Sequence, residues 1–546
     1  MARSKAPSLA SQVSKAVVWN TLFVPLRLIT EVLATLLKLN RLSLASFGLL
    51  ALVSGASKVL GTGIDLGTTR ALPKYIPETN RVGGALATLR LLQLVFLAQV
   101  VVLLAVAAGL AFFQPAFQAY LNGQILGDQR LDLLTQEQLV SFVASYGWLL
   151  AATVLALLFF GVCYDMLMAY LSSFFKQRAW NSIDLAAKVL PQLLIVGALL
   201  AGWDILGVLA AMVLAPAIAV SLASWQVWRL RRELQREQGT PVPAAPLRAW
   251  REWLPPGFVR YSAVSFLMTA TDMIASVNFA LFLTGDLSDT AVLWAGSALV
   301  AMALGYLYTP MVGVQVPLFA RVRQGEGGTL NGAYQSLVRL QLLLLVPGGV
   351  GLMLLAEPAL LVISPQYLVA APIVWVLVPC LFLECLLTTA HNALIVYERL
   401  PIIVVSRLIT LLVVIPLAWL LPPIWGLVGV ALAFGLARVG AGLWVTGSGM
   451  RLLGLCWPWR FTLRVLGATA AMAALILATR GLLPPLPNEA GLGERLIEAG
   501  WLFALAGLGA VGFFAALRLL GGLDPADRAQ LEKMRLPLKR WLLRMV

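Results

Sequence analysis

The chain has 546 residues, of which 60% are apolar and 12% are charged, and it carries a formal net charge of +15 at pH 7. A soluble domain carries roughly 25% charged residues, so this chain lacks the polar groups that several soluble domains would need at their surfaces. The composition therefore predicts a polytopic membrane protein, and continuous rather than alternating apolar runs exclude an outer-membrane barrel.

Fourteen transmembrane helices are predicted from the long apolar runs of the sequence. In chain order, these spans lie near 16–37, 43–64, 89–113, 143–165, 183–201, 205–228, 258–283, 291–316, 337–356, 372–395, 402–421, 426–446, 461–482 and 497–519. The first run is too long for a signal peptide and contains Arg27 and Glu31. We therefore interpret it as an uncleaved span.

A stretch rich in arginine and proline, 229–257, separates the first six spans from the next six. It is predicted to be a cytoplasmic linker between an N-terminal six-helix lobe, 1–228, and a second six-helix lobe, 258–446. Two further helices and a basic cytoplasmic tail are assigned to 447–546. The predicted fold class is thus an all-α polytopic membrane protein with two lobes around a central cavity.

Lysine and arginine are distributed unequally between the two sets of loops. Counted with the adjoining helix ends, the set that includes both termini holds 32 of the 40 Lys and Arg residues, and the other set holds five. The positive-inside rule therefore predicts a bacterial inner-membrane protein with both termini in the cytoplasm. The basic tail around Lys533 to Arg544 is expected to contact anionic membrane lipids, not nucleic acid.

Several chemistries find no support in the sequence. The four cysteines have no paired C-x-x-C spacing, and a single histidine argues against a metal or catalytic centre. No Walker A motif occurs, so no P-loop nucleotide site is expected. The segment Gly63 to Thr69 looks like the phosphate motif of actin-like ATPases, but it ends an apolar helix and Gly67 explains it as a helix terminator. No cofactor, metal site or catalytic residue is predicted.

A membrane glycosyltransferase or polymerase is the enzymatic alternative. Such enzymes generally place catalytic carboxylates in large extracytoplasmic loops. The longest such loop predicted here, 114–142, holds Asp128, Asp132 and Glu137 as separate carboxylates, which a solvated amphipathic helix explains. We therefore expect a protein that is not an enzyme, in which loss of these carboxylates is nearly silent.

Ionisable residues inside the first two spans are the first candidates for function. Each costs about 2.5–3.5 kcal/mol on insertion scales, so each needs a cavity or a partner. Asn20, Arg27 and Glu31 share one helix face, and Lys58 lies on a polar stripe of the second span. Two alternatives stay open: Arg27 and Glu31 form a purely structural pair, or Lys58 snorkels to the cytoplasmic end of its helix.

Polar stripes also occur on two later spans. Asp272 lies mid-span between Thr269 and Ser276 without an obvious local partner. On the tenth predicted span, Glu384 and His391 share one helix face. Stripes on helices of both predicted lobes indicate a water-accessible cavity. Asp272, Glu384 and His391 are therefore candidates for ion coupling or for lining the cavity, and bonds of Glu384 and His391 to neighbouring helices are the alternative.

Short motifs near the N terminus follow one another in a recognisable order. A basic segment leads into the first span, and the motifs are Ala16-Val-Val-Trp19-Asn20, Phe47-Gly48-Leu49, Asp65-Leu66-Gly67, Arg70-Ala71-Leu72 and Tyr75-Ile76-Pro77-Glu78. Together with fourteen helices divided six, six and two, this order resembles the Wzx-like polysaccharide-biosynthesis flippases. These belong to the multidrug/oligosaccharidyl-lipid/polysaccharide exporter superfamily.

The resemblance implies a flippase that moves polyprenyl-diphosphate-linked oligosaccharide to the outer leaflet by alternating access, for lipopolysaccharide or another cell-surface polysaccharide. In that family, cations on the first helices line the cavity, a role that Arg27 and Lys58 would take here beside Asn20 and Glu31. Glycosyltransferases and a polysaccharide polymerase would be partners. A lipid II flippase or a small-molecule or cation antiporter of the same superfamily is the alternative.

Overall fold

The computed structural model of the chain describes residues 27, 29–174, 177–237, 253–323, 325, 328–481 and 492–521. All regular elements within these ranges are helices, and no strand occurs among them. The predicted all-α class is therefore confirmed. The predicted central cavity and the lobe boundaries at 1–228, 229–257 and 258–446 stay predictions.

The helices are numbered here in chain order. They are α1 (29–41), α2 (Leu44–Asp65), α3 (Thr68–Phe112), α4 (Gln114–Leu126), α5 (Leu133–Ser173), α6 (Gln177–Leu200), α7 (Ile205–Glu237), α8 (Phe258–Ile274), α9 (Val277–Ala280), α10 (Leu287–Leu307), α11 (Thr309–Arg323), α12 (Leu330–Ile363), α13 (Ala371–Val396), α14 (Leu400–Leu420), α15 (Pro422–Leu453), α16 (Trp459–Arg480) and α17 (Leu492–Leu519). Short 3₁₀ segments cover Leu281–Leu283 and Pro365–Ala370.

Among the described residues, 12 helices are long and apolar enough to cross a membrane, and a thirteenth span results if the bent pair α8 and α9 counts as one. These correspond to the second through fourteenth predicted spans. Most of the first predicted span, 16–37, lies outside the described residues.

The seventh predicted span, 258–283, differs from the expectation of one continuous helix. It bends by 53° between α8 and α9. Ser276 begins the second helix, where its Oγ accepts a hydrogen bond from the Phe279 backbone N–H at 3.4 Å. A serine at this position competes for backbone hydrogen bonds and favours a helix start over a helix interior. The polar stripe predicted from Asp272 to Ser276 is therefore divided by the bend.

The described residues form two compact units. The first unit is Pro25–Ala291, and the second contains Val292–Val546. In the first unit, buried side chains of α3, α5, α7 and α8 make one apolar cluster that includes Leu72, Leu171 and Phe258. The Tyr75 ring meets the edge of Phe258 at a centroid distance of 5.4 Å. This packing fixes α8 against the start of α3.

The turn between α2 and α3 is built by Asp65, Leu66 and Gly67. Leu66 and Gly67 adopt left-handed backbone angles, with φ of 52° and 73°. The Asp65 carboxylate accepts hydrogen bonds from the Thr69 backbone N–H at 2.9 Å and from the Thr69 hydroxyl at 2.5 Å. Asp65 therefore caps α3, and the glycine-containing motif is a helix-to-helix turn, as its position at the end of an apolar helix indicates.

Gly67 also allows α8 to approach closely. A Cβ at this position would lie 2.2 Å from the Ser262 carbonyl oxygen and 2.5 Å from the Phe266 backbone nitrogen. We expect Gly67→Ala to lower the free energy of unfolding by more than about 1 kcal/mol, because it adds a clash with backbone to a left-handed φ.

Thermal unfolding in detergent measures this effect. Gly63→Ala is the matched control, because a Cβ at Gly63 in α2 would meet no atom within 4 Å. Equal melting temperatures for the two variants would contradict the prediction.

Asp128 joins the α4–α5 turn to the start of α10. Its carboxylate accepts hydrogen bonds from the Ser288 backbone N–H at 2.9 Å and from the Arg130 backbone N–H at 3.1 Å, and its side chain is 0% exposed. Arg130 in turn lies 2.8 Å from Asp289. The expectation that Asp128 belongs to a solvated helix is therefore wrong, because the fold buries it as a cap on α10.

The neighbouring carboxylate of Asp286 completes this junction. It accepts a hydrogen bond from the Asp289 backbone N–H at 2.6 Å, so it caps the same helix from within its own chain segment. Burial raises the pKa of Asp286, the nearby Asp289 and Asp128 carboxylates raise it further, and the backbone hydrogen bond and Arg130 act in the opposite direction.

We expect Asp128→Ala to lower the free energy of unfolding by about 1–3 kcal/mol, because it leaves two backbone N–H donors without their acceptor. Glu137→Ala is the control, since Glu137 is exposed on α5. Chemical or thermal unfolding of both variants in detergent gives the comparison. An Asp128 variant as stable as the Glu137 variant would show that the junction does not stabilise the fold.

Candidate functional site

Arg27 and Glu31 form an ion pair within the first described helical segment. The Arg27 Nε lies 3.5 Å from the Glu31 Oε2, and both side chains are half-buried. The pairing at i and i+4 that the sequence predicts is thus present, and an anion approaching Arg27 would meet Glu31 beside it. Asn20, the third predicted member of this face, lies outside the described residues.

Lys58 has a different environment on α2. Its side chain is exposed, and within the described residues its ammonium has one hydrogen-bond partner, the Asn278 Oδ1 on α9 at 3.4 Å. No carboxylate of the described residues lies within 4.0 Å of this ammonium. Lys58 is therefore a cation of the first unit whose charge is met by a neutral amide.

Asp272 has a charged partner that the sequence did not reveal. The Arg70 Nη2 lies 3.9 Å from the Asp272 Oδ2, and these side chains are 46% and 34% exposed. Asp272 has no obvious local partner in the sequence, and its partner in the structure is distant along the chain, because the start of α3 brings Arg70 against α8. Arg70 lies in the loop between the predicted spans 43–64 and 89–113, so the sequence does not place its guanidinium among the intramembrane charges.

Lys58 and Arg70 therefore contact the two arms of the bent pair. Asp272 lies near the end of α8, and Asn278 lies in α9 just beyond the bend. Both contacts lie within the first unit. The polar partners of the two cations thus lie on one stretch of chain. An anionic ligand could accept charge-assisted hydrogen bonds from Lys58 or Arg70.

Glu384 lies in the second unit and is paired with Arg438. The Arg438 Nε and Nη2 donate to the two carboxylate oxygens at 2.6 and 2.8 Å, and the side chains are 29% and 24% exposed. This bidentate geometry joins α15 to α13. Arg438 lies inside the predicted span 426–446, but the sequence does not reveal its partner, because the two residues are 54 positions apart.

Other polar side chains of α13 bond to neighbouring helices. Thr389 donates to Gln341 of α12 at 2.7 Å, and Asn392 donates to Gln315 of α11 at 2.7 Å. The side chains of Gln315, Gln341 and Thr389 are fully buried. His391 lies half-buried on the same helix. Of the predicted stripe, Glu384 bonds to a neighbouring helix through Arg438, and Thr389 and Asn392 are further polar residues of α13 that bond to neighbouring helices.

The two units differ in what their charges can do. The first unit offers two cations with loose partners, an arrangement suited to an anionic ligand. The second unit offers a carboxylate already held by two hydrogen bonds. Among the described residues, no group of three His, Cys, Asp or Glu side chains is arranged to hold a metal ion.

No protein-family model matches the sequence, and no curated protein matches it. Among solved structures, the lipid II flippase MurJ in its inward closed conformation superimposes with a TM-score of 0.63 and 15% identity, covering 92% of this chain and 99% of that one. An inward-facing multidrug resistance MATE family transporter of the MOP superfamily gives 0.55 and 14%, covering 78% and 95%.

A MOP superfamily transporter from Pyrococcus furiosus gives a TM-score of 0.53 and 13% identity, covering 83% of this chain and 99% of that one. At these identities the likeness concerns the fold. The chain has the multi-pass helical fold of these transporters and flippases.

The Glu384–Arg438 pair leads to a stability prediction. Arg438→Leu should lower the free energy of unfolding by about 1–3 kcal/mol, because it leaves a half-buried carboxylate without its bidentate donor. Replacing both residues by leucine should recover most of this loss, since no charge is then left among apolar side chains.

Thermal unfolding in detergent and the amount of folded protein in membranes test this pair. Arg229→Leu is the control, because its ion pair with Glu233 lies on an exposed helix surface. A double variant that is less stable than Arg438→Leu would contradict the prediction.

Proposed function

We propose that the protein is a flippase that moves polyprenyl-diphosphate-linked oligosaccharide from the cytoplasmic to the outer leaflet by alternating access. The observation that carries this proposal is Lys58, an exposed residue whose ammonium, among the described residues, has an amide but no carboxylate within 4.0 Å. The first unit also contains the guanidinium groups of Arg70 and Arg27.

The chemistry of such a substrate explains why cations are needed. A diphosphate with attached sugars cannot enter hydrocarbon unaided, because its charges and hydroxyls would lose their hydrogen bonds to water. A lysine or arginine replaces part of that hydration with charge-assisted hydrogen bonds. The prenyl chain meanwhile stays in the lipid, so its apolar surface adds no transfer free energy.

The fold supports transport of this kind over an enzymatic role. The superposition with the lipid II flippase MurJ covers 92% of this chain, and the superposition with the inward-facing MATE family transporter covers 78%. That difference makes a lipid II flippase the second candidate. A small-molecule or cation antiporter is the remaining alternative of the same fold.

Acidic residues are proposed to reset the carrier. Asp272 and Glu384 each face an arginine, and His391 lies on the helix that carries Glu384. Protonation or cation binding at either carboxylate would weaken its hold on the arginine, which links an ion gradient to a change of contacts. His391 is proposed as a cavity residue of the same group.

The proposed setting is the bacterial inner membrane with both termini in the cytoplasm. Anionic membrane lipids would contact the basic tail, and the enzymes that build and polymerise the glycan would supply and consume the lipid-linked product.

Lys58→Ala is expected to lower transport roughly ten- to a hundredfold, because one charge-assisted hydrogen bond contributes about 1.5–3 kcal/mol. Lys58→Arg should keep most of the activity, since it keeps the positive charge. A leaflet-specific assay of the lipid-linked glycan measures transport, and thermal unfolding of the same samples measures stability.

Lys188→Ala is the control, because this lysine is held by Asp184 on an exposed face of α6. The double variant Arg27→Leu with Glu31→Leu separates the two interpretations of Arg27. Normal transport in this variant assigns Arg27 a structural role, and stable protein without transport assigns it to the substrate. Full transport by Lys58→Ala would overturn the proposed role of Lys58.

A further inference from the structure

Lys58 and Arg70 both have their polar partners on the same stretch of chain, in α8 and α9. Asp272 on α8 faces Arg70, and Asn278 on α9 faces Lys58. A carboxylate oxygen and an amide carbonyl oxygen both accept hydrogen bonds from a cation, as a phosphate oxygen does. The contacts thus resemble those an anionic head group would make.

We propose that the Asp272 carboxylate is an internal competitor of the substrate: it occupies Arg70 in the empty carrier and is displaced by the anionic head group. This inference rests on the proposed function and concerns the same site. Asn278 plays the corresponding, weaker part at Lys58, because a neutral amide competes less strongly than a carboxylate.

The geometry of the Arg70–Asp272 contact is suited to exchange. The Arg70 Nη2 and the Asp272 Oδ2 lie 3.9 Å apart, and both side chains are between one-third and one-half exposed. The Glu384–Arg438 pair, by comparison, has two hydrogen bonds at 2.6 and 2.8 Å and less exposure. A guanidinium fork gains more from a bidentate phosphate than from one distant carboxylate oxygen. A diphosphate would therefore displace Asp272 readily.

Helix α8 also has contacts with the start of α3 that do not involve the ion pair. The Tyr75 ring packs against Phe258 and Tyr261 at 5.4 and 6.0 Å, and Gly67 lies directly against the backbone at Ser262. The first half of α8 therefore packs on α3 through apolar and backbone contacts, and Asp272 lies beyond them near the end of the helix.

A competitor changes affinity in a direction that a structural or ligand-binding carboxylate does not. Removing a competitor frees the cation and tightens binding of the anion. Removing a structural brace would leave binding unchanged or weaken it. Removing a group that holds only the substrate's sugars would leave the binding of a sugar-free diphosphate unchanged. The sign of the change in affinity for a sugar-free diphosphate therefore identifies the role of Asp272.

The test measures binding of farnesyl diphosphate to the full chain purified in detergent, by calorimetry. Asp272→Asn keeps the size and hydrogen bonding of the side chain and removes its charge, and it should tighten binding about fivefold. Asp272→Ser is a second variant with the same expected direction. Arg70→Gln should weaken binding about tenfold, and Arg70→Gln combined with Asp272→Asn should bind like Arg70→Gln alone.

Asp184→Asn is the matched control, because it removes a carboxylate from an ion pair with Lys188 on α6, and its affinity should equal that of the unchanged chain. Unchanged or weaker binding by both Asp272 variants would overturn the inference while leaving the proposed function standing. Failure of the unchanged chain to bind farnesyl diphosphate would overturn the proposed function and the inference with it.

Discussion

The cost of an uncompensated charge among apolar helices governs where this chain can place its ionisable residues. A lone charge in that environment must find a partner, reach water or be neutralised. Glu384 meets this requirement with the bidentate donor Arg438, and Arg27 meets it with Glu31 one turn away. The packing of α13 against α15 therefore also brings two opposite charges of the second unit together.

The quality of these pairings separates structural charges from available ones. Arg438 and Glu384 already form two short hydrogen bonds, so a ligand would gain little binding free energy from either of them. A ligand would gain more from Arg70, which lies 3.9 Å from Asp272, and from Lys58, which faces a neutral amide. A transporter needs cations that bind an anion and release it again, so loosely partnered cations suit that task better than tightly paired ones.

Backbone capping supplies the second principle of the structure. Asp65 caps α3, and Asp128 with Asp286 caps α10, so three acidic residues that could be mistaken for catalytic or coupling groups satisfy helix N-termini instead. Their placement also positions the site, because the Asp65 turn sets the start of α3 and hence the reach of Arg70 toward α8.

Local pattern alone determined the membrane class, the helix positions from the second span onward and the Arg27–Glu31 pair, because hydropathy and i, i+4 spacing depend on residues near in sequence. Only the tertiary structure decided the partners of Asp272, Glu384 and Asp128 and the bend after Ile274. Those contacts join residues from 54 to 202 positions apart, and no periodicity records which helices pack together. The bend likewise depends on whether Ser276 caps a new helix or the preceding helix continues. Packing against neighbouring helices decides between these two outcomes.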